Sequence, residues 1–126
     1  MKPTWEATLP VMPMGKPRMT RRDKWAKRPC VLRYWAFCDE VRAHAEGFPE
    51  DCYRLDWTAY LPMPKSWSQA KKDKLSGELH QAKPDRDNID KAILDALLKE
   101  DCLVAQGRLE KRWDDGKGAR IEMKAW

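Results

Sequence analysis

The chain has 126 residues and a formal net charge of +5, which suits one compact domain and leaves little room for a second core. Charged residues make up 36% of it, and no apolar run approaches the length of a membrane span, so a membrane-embedded protein is excluded as the expectation. The charge is unevenly placed: residues 1–34 carry nine basic residues against two acidic ones, and residues 35–126 carry 16 against 18. A basic first quarter is the electrostatic footprint of a polyanion partner, and any acidic site must lie in the remainder.

In chain order, residues 4–11 read as a strand with Trp5, Ala7 and Leu9 on one face. Residues 12–30 hold three prolines, Gly15 and most of the basic excess, and read as a long basic loop. Residues 33–46 read as a helix with Tyr34, Phe37, Cys38, Val41 and Ala45 as its apolar stripe. Residues 52–62 alternate as a second strand, with Tyr53, Leu55, Trp57 and Ala59 sharing a face. Ser66 is placed to cap a short lysine-rich helix over 67–75, and residues 77–83 form a polar connector. A helix is predicted over 88–99. Strands are predicted over 107–113 and 119–125, joined by Asp114-Asp115-Gly116-Lys117-Gly118 in a hairpin turn. The order of elements predicts a single α/β (α+β) domain over residues 1–126, a small mixed sheet backed by helices.

Cys30, Cys38, Cys52 and Cys102 form no C-x-x-C pair, and His44 and His80 lie far from them, so a structural zinc site is not expected. Reduced, mostly buried cysteines and a start without a leader pattern fit the cytoplasm. Trp35 and Trp57 sit in periodic elements and are expected in the core, whereas Trp25 and Trp67 lie in basic surroundings and are open to stacking on bases. His44 and His80 are assigned to helix-surface or loop positions.

The informative segment is residues 83–101. Pro84 pushes Lys83 towards extended geometry, and an extended Asp85–Asp87 stretch would point both carboxylates the same way. Asp87 then stands at a helix cap with Asp90 three residues on, a capping-box-like spacing. Ile89, Ala92, Ile93, Ala96 and Leu97 form the core face, while Asn88, Lys91 and Asp95 follow a separate ridge. Carboxylate oxygens suit a hard divalent cation, and a lysine one turn on suits a phosphate beside it. The same residues also serve as plain N-terminal capping and a surface ion pair, and spacing alone leaves both readings open. An EF-hand fails, because Asp90 stands where its glycine belongs.

The words K-P-D-R-D-N-I-D-K-A-I-L-D-A-L resemble the signature of the RusA-type Holliday junction resolvases, a prophage-associated family of crossover junction endodeoxyribonucleases. The match runs through Lys83, Pro84, Asp85, Asp87, Asn88, Ile89, Lys91, Asp95, Ala96 and Leu97, and the family's following acidic pair appears as Glu100-Asp101. Gly15–Arg22 resembles the family's basic loop, and residues 110–122 resemble the closing hairpin of a phage subgroup. The resemblance implies a Mg²⁺-dependent endonuclease, with Mn²⁺ able to substitute, that resolves four-way DNA junctions by paired symmetric nicks in recombination and repair. It implies metal ligation by Asp85, Asp87 and Asp101, with Lys91 on the scissile phosphate. Asn88, Asp95 and Glu100 would support these ligands, and Lys16, Arg18, Arg21, Arg22 and Lys83 would hold the DNA backbone. It further implies a homodimer with no organic cofactor. Two other classes compete: a non-catalytic branched-DNA-binding module whose carboxylates only cap a helix, and a D-x-D enzyme of nucleotide-sugars, for which 126 residues leave little room.

Overall fold

A computed structural model describes residues 2–20 and 28–126. Four strands form one mixed sheet in the order β1-β4-β2-β3, with β1 at Trp5–Leu9, β2 at Leu55–Leu61, β3 at Leu109–Trp113 and β4 at Arg120–Ala125. β4 runs antiparallel to β1 and β2, and β3 runs parallel to β2. Among the described residues, three α-helices accompany the sheet: α1 (Pro29–His44), α2 (Gln69–Leu75) and α3 (Arg86–Leu97). The fold is α+β, as the order of elements implies.

The core lies between one sheet face and the paired helices α1 and α3. β2 alternates as a half-buried strand should: Leu55, Trp57, Ala59 and Leu61 are buried and the residues between them are not. Its neighbours supply Leu9, Ile121, Met123 and Ala125 to the same layer. α3 meets this layer with Ile89, Ala92, Ile93, Ala96 and Leu97, the five residues that its 3.6-residue period selects. α1 adds Val31, Tyr34, Phe37, Cys38 and Val41. Trp57 spans the layers, its indole Nε1 donating to Asp90 Oδ1 at 2.9 Å, so the largest core side chain leaves no orphan donor.

Several sequence expectations need correction. α1 begins at Pro29 instead of residue 33, because proline at the first helical position costs no hydrogen bond. β2 starts at Leu55, and Tyr53 is exposed: the backbone of Tyr53 is spent on Trp126, Ala105 and Gln106, outside the ladder. Ser68, not Ser66, caps α2, its side chain accepting from the Lys71 amide at 3.2 Å. Trp35 is 39% exposed on the outer side of α1. His80 is buried, its ring 4.1 Å from that of Trp113. Cys38 and Cys52 are buried, but Cys102 is exposed and Cys30 half-buried, and all four are free.

The largest correction concerns the chain end. β3 and β4 do not form a hairpin, since β2 lies between them. The Asp114–Gly118 stretch crosses the end of β2, where the Asp114 amide donates to Leu61 O at 2.8 Å. Asp114 Oδ1 accepts from the Gly116 and Gly118 amides, and both glycines have φ near +96°, a conformation that a side chain would strain. Asp115 grips Arg120 through both oxygens at 3.0 and 3.1 Å, and the guanidinium lies over the Tyr60 ring. The arginine's hydrogen bonds hold Asp115 below the usual carboxylate range.

Candidate active site

The acidic segment sits at the start of α3. The Lys83–Pro84 peptide is cis. Asp85 is the N-cap residue, with extended backbone and its carbonyl accepting from the Ile89 amide at 3.1 Å. The helix starts at Arg86, two residues earlier than the periodicity suggested, so Asp87 lies inside the first turn and is not the cap. The capping-box expectation fails with it: Asp90 is committed to Trp57. Neither Asp85 nor Asp87 uses its carboxylate to cap the helix. Both are exposed, as are Lys83, Arg86 and Lys91.

This is a favourable place for a phosphate. The first amides of a helix lack intrahelical partners, and the dipole adds positive potential there. The same potential opposes a bare cation, so a metal would need carboxylates, and Asp85 and Asp87 supply them. Neither carboxylate is tied up by a hydrogen bond or ion pair among the described residues, so their oxygens remain available. The donor set fits a hard divalent ion that retains some of its waters.

Asp101 is placed differently. It opens a 3₁₀ turn, Asp101–Leu103, beyond the far end of α3, and the 12-residue helix is about 18 Å long. Among the described residues, no three His, Cys, Asp or Glu side chains approach closely enough to hold one metal ion. The structure therefore joins Asp85 and Asp87 at one end of α3 and does not bring Asp101 to them within one chain. Glu100 precedes that turn and is exposed.

The basic loop is fastened to this end of α3. The Lys16 amide donates to Asn88 O at 3.1 Å, and a Cβ on Gly15 would lie 3.1 Å from the Asn88 Cβ, so a larger residue would push the loop and helix apart by a few tenths of an ångström. The Lys16 ammonium lies 3.7 Å from Asp95 Oδ2 and 6.0 Å from the Tyr34 ring centroid. Tyr34 donates its hydroxyl to the same carboxylate oxygen. Burial, reinforced by that hydrogen bond, pushes the Tyr34 phenol far up, so it stays a donor. Asp95 thus joins α1, the basic loop and α3, with Lys16 paired to it at the surface. Arg18 is exposed, and its carbonyl accepts from Arg28 at 2.9 Å. Lys83 is exposed beside the acidic end. Arg21, Arg22 and Trp25 lie outside the described residues. Trp67 packs on Trp113 at 4.7 Å, with the Lys71 ammonium 4.2 Å from its ring, which makes it part of a surface cluster.

Sequence reasoning missed Lys111. Its Nζ donates to Ala82 O at 2.5 Å and to Pro84 O at 2.8 Å, the carbonyls just before Asp85. The available signal was its phase: Lys111 shares a face of β3 with Leu109 and Trp113, a cation on an otherwise apolar row.

A mixed sheet covered by two helices, with an uncommitted D-x-D pair at a helix N-terminus and the start of a basic loop fastened beside it, defines a small α+β domain with an exposed acidic pair. The model of the family Endodeoxyribonuclease RusA matches residues 9–124, nearly the whole chain. The chain belongs to the RusA family and is an endodeoxyribonuclease, of the kind that resolves Holliday junctions. No curated protein is similar enough to be matched with it. No helix among the described residues is long and apolar enough to cross a membrane.

Proposed function

We propose that this protein is a Mg²⁺-dependent resolvase that acts as a homodimer and cuts four-way DNA junctions by paired symmetric nicks, with residues 1–126 as one catalytic domain. The observation that carries the reading is the free Asp85–Asp87 pair at the N-terminus of α3, within the K-P-D-R-D-N motif of a chain in a junction-resolving family. Asp85 and Asp87 would hold the ion, and Asp101, set apart from them in the single chain, is proposed as the third ligand. A divalent ion held there would supply Lewis-acid chemistry, activating a water and neutralising charge that develops on the phosphate. Lys91, one turn along α3, faces the phosphate as a point charge, and the free amides of the first turn orient it. Asn88 and Asp95 hold the basic loop against the helix, and Glu100 stands behind Asp101.

Arg18, Arg21, Arg22 and Lys83 contact the DNA backbone, and Lys16 fixes the loop that carries the first three. Two copies related by a two-fold axis suit a pseudo-symmetric junction, since each copy presents one site to one strand. The free cysteines suit work in the cytoplasm. The test is a series of full-length variants on a synthetic four-way junction. Asp85→Asn, Asp87→Asn and Asp101→Asn are expected to abolish cutting while junction binding persists or tightens, because each removes negative charge near phosphate. Wild-type cutting by any one of them removes that residue from the ligand set.

A further inference from the structure

We propose that Lys111 is a positioning residue for the acidic site: by holding the carbonyls of Ala82 and Pro84, it fixes where Asp85 caps α3. The inference rests on the reading above that Asp85 acts in cleavage.

β3 is in register with β2, so Leu109, Lys111 and Trp113 lie opposite the buried residues Trp57, Ala59 and Leu61. Lys111 therefore starts on the core side of an outer strand, where an ammonium must find acceptors. It finds two, Ala82 O at 2.5 Å and Pro84 O at 2.8 Å, which flank Lys83 and end one residue before the cap. An ammonium has three donors, and these two bonds make a short brace between the sheet and the K-P-D turn.

The rest of β3 supports the same turn from further back. The His80 amide donates to Lys111 O at 2.9 Å, the Trp113 amide to Glu78 O at 2.9 Å, and Arg112 to Gly77 O at 2.8 Å. On the opposite side, Gly15 closes on Pro84 and Asn88. The segment before Asp85 has no helix or strand of its own, yet it is gripped from two directions. Such support is what a ligand pair at a helix start requires, since a carboxylate that wanders loses the ion.

The experiment compares full-length wild type, Lys111→Met, Lys111→Arg and Asp85→Asn. Three quantities are read: single-turnover cleavage of a four-way junction in Mn²⁺, Mn²⁺ binding to the DNA-free protein by electron paramagnetic resonance, and junction affinity in EDTA. Lys111→Met is expected to lose about ten- to hundred-fold in cleavage rate and to bind Mn²⁺ more weakly. Its junction affinity should stay within about threefold of wild type, as for loss of one phosphate-distant charge. Lys111→Arg, which keeps the charge and several donors, should recover most of both losses. Wild-type rate and Mn²⁺ affinity in Lys111→Met overturn the inference. So do equal losses in Met and Arg with Mn²⁺ binding unchanged, which would make Lys111 a general support of the fold. Should Lys111→Met not fold, Lys111→Gln takes its place, with one donor left and an intermediate loss expected. Cutting by Asp85→Asn would instead remove the reading on which the inference rests.

Discussion

Asp95 shows how one residue of a motif can act away from the chemistry. It accepts the Tyr34 hydroxyl and pairs with Lys16 at 3.7 Å, so its charge is spent on holding loop and helices together. Tyr34→Phe should lower unfolding stability by about 1–2 kcal/mol, the worth of a hydrogen bond to a charged group at a partly exposed site, as read by urea melts. No loss of stability would mean that Asp95 finds a replacement donor. His80 offers a pH handle. Burial, with the charge of Lys111 added, holds it below its ordinary value, so the folded state keeps the neutral ring. The sign follows: above about pH 6.5 the contribution is intact, and below it the unfolded chain takes up a proton that the fold refuses. Stability should therefore fall as the pH drops below about 6.5, and His80→Phe should flatten that slope in the same melts. A slope unchanged by the substitution would assign it to other groups.

At the scale of elements, α3 was the most legible part of the chain. Its five core residues follow a helical period with no interruption, and all five are buried. Ile93→Ala should accordingly cost about 2–5 kcal/mol in unfolding free energy, since Ile93 is fully buried between the sheet and α1. A loss well under 1 kcal/mol would contradict the packing described. β2 was legible for the same reason, with its period of two. The start of α1 was announced by Pro29 at the first helical position, a signal masked by the surrounding basic loop. The partners of β3 and β4 were not legible. Asp-Asp-Gly-Lys-Gly bends a chain equally well into a hairpin or across the end of a third strand. What decides between them is the pairing of β2 with both strands, a contact more than 45 residues away in sequence. The D-x-D pair was visible as a word, but its geometry was not: the helix begins between the two aspartates, which no local spacing dictates.

At the scale of the whole molecule, the start of the basic loop and the acidic segment lie far apart in the sequence and meet in space. Gly15, Lys16 and Asn88 bring the start of the basic loop against the acidic end of α3. Neutralising Arg18 together with Arg21 should weaken junction binding and reduce the slope of log affinity against log salt by about two, one per lost phosphate contact. An unchanged slope would place the DNA on another surface. Asp101 belongs to this scale too: it follows the far end of α3 and, among the described residues, joins no metal-holding cluster with Asp85 and Asp87.

The most direct test of the central claim is a cleavage assay on a synthetic four-way junction in Mg²⁺, with wild type and Asp87→Asn side by side and a linear duplex as control. Wild type is expected to make paired, symmetric nicks near the branch point, Asp87→Asn to make none despite tight binding, and neither to cut the duplex. Tight junction binding without cutting in Mg²⁺ or Mn²⁺, or equal cutting by Asp87→Asn, would contradict it.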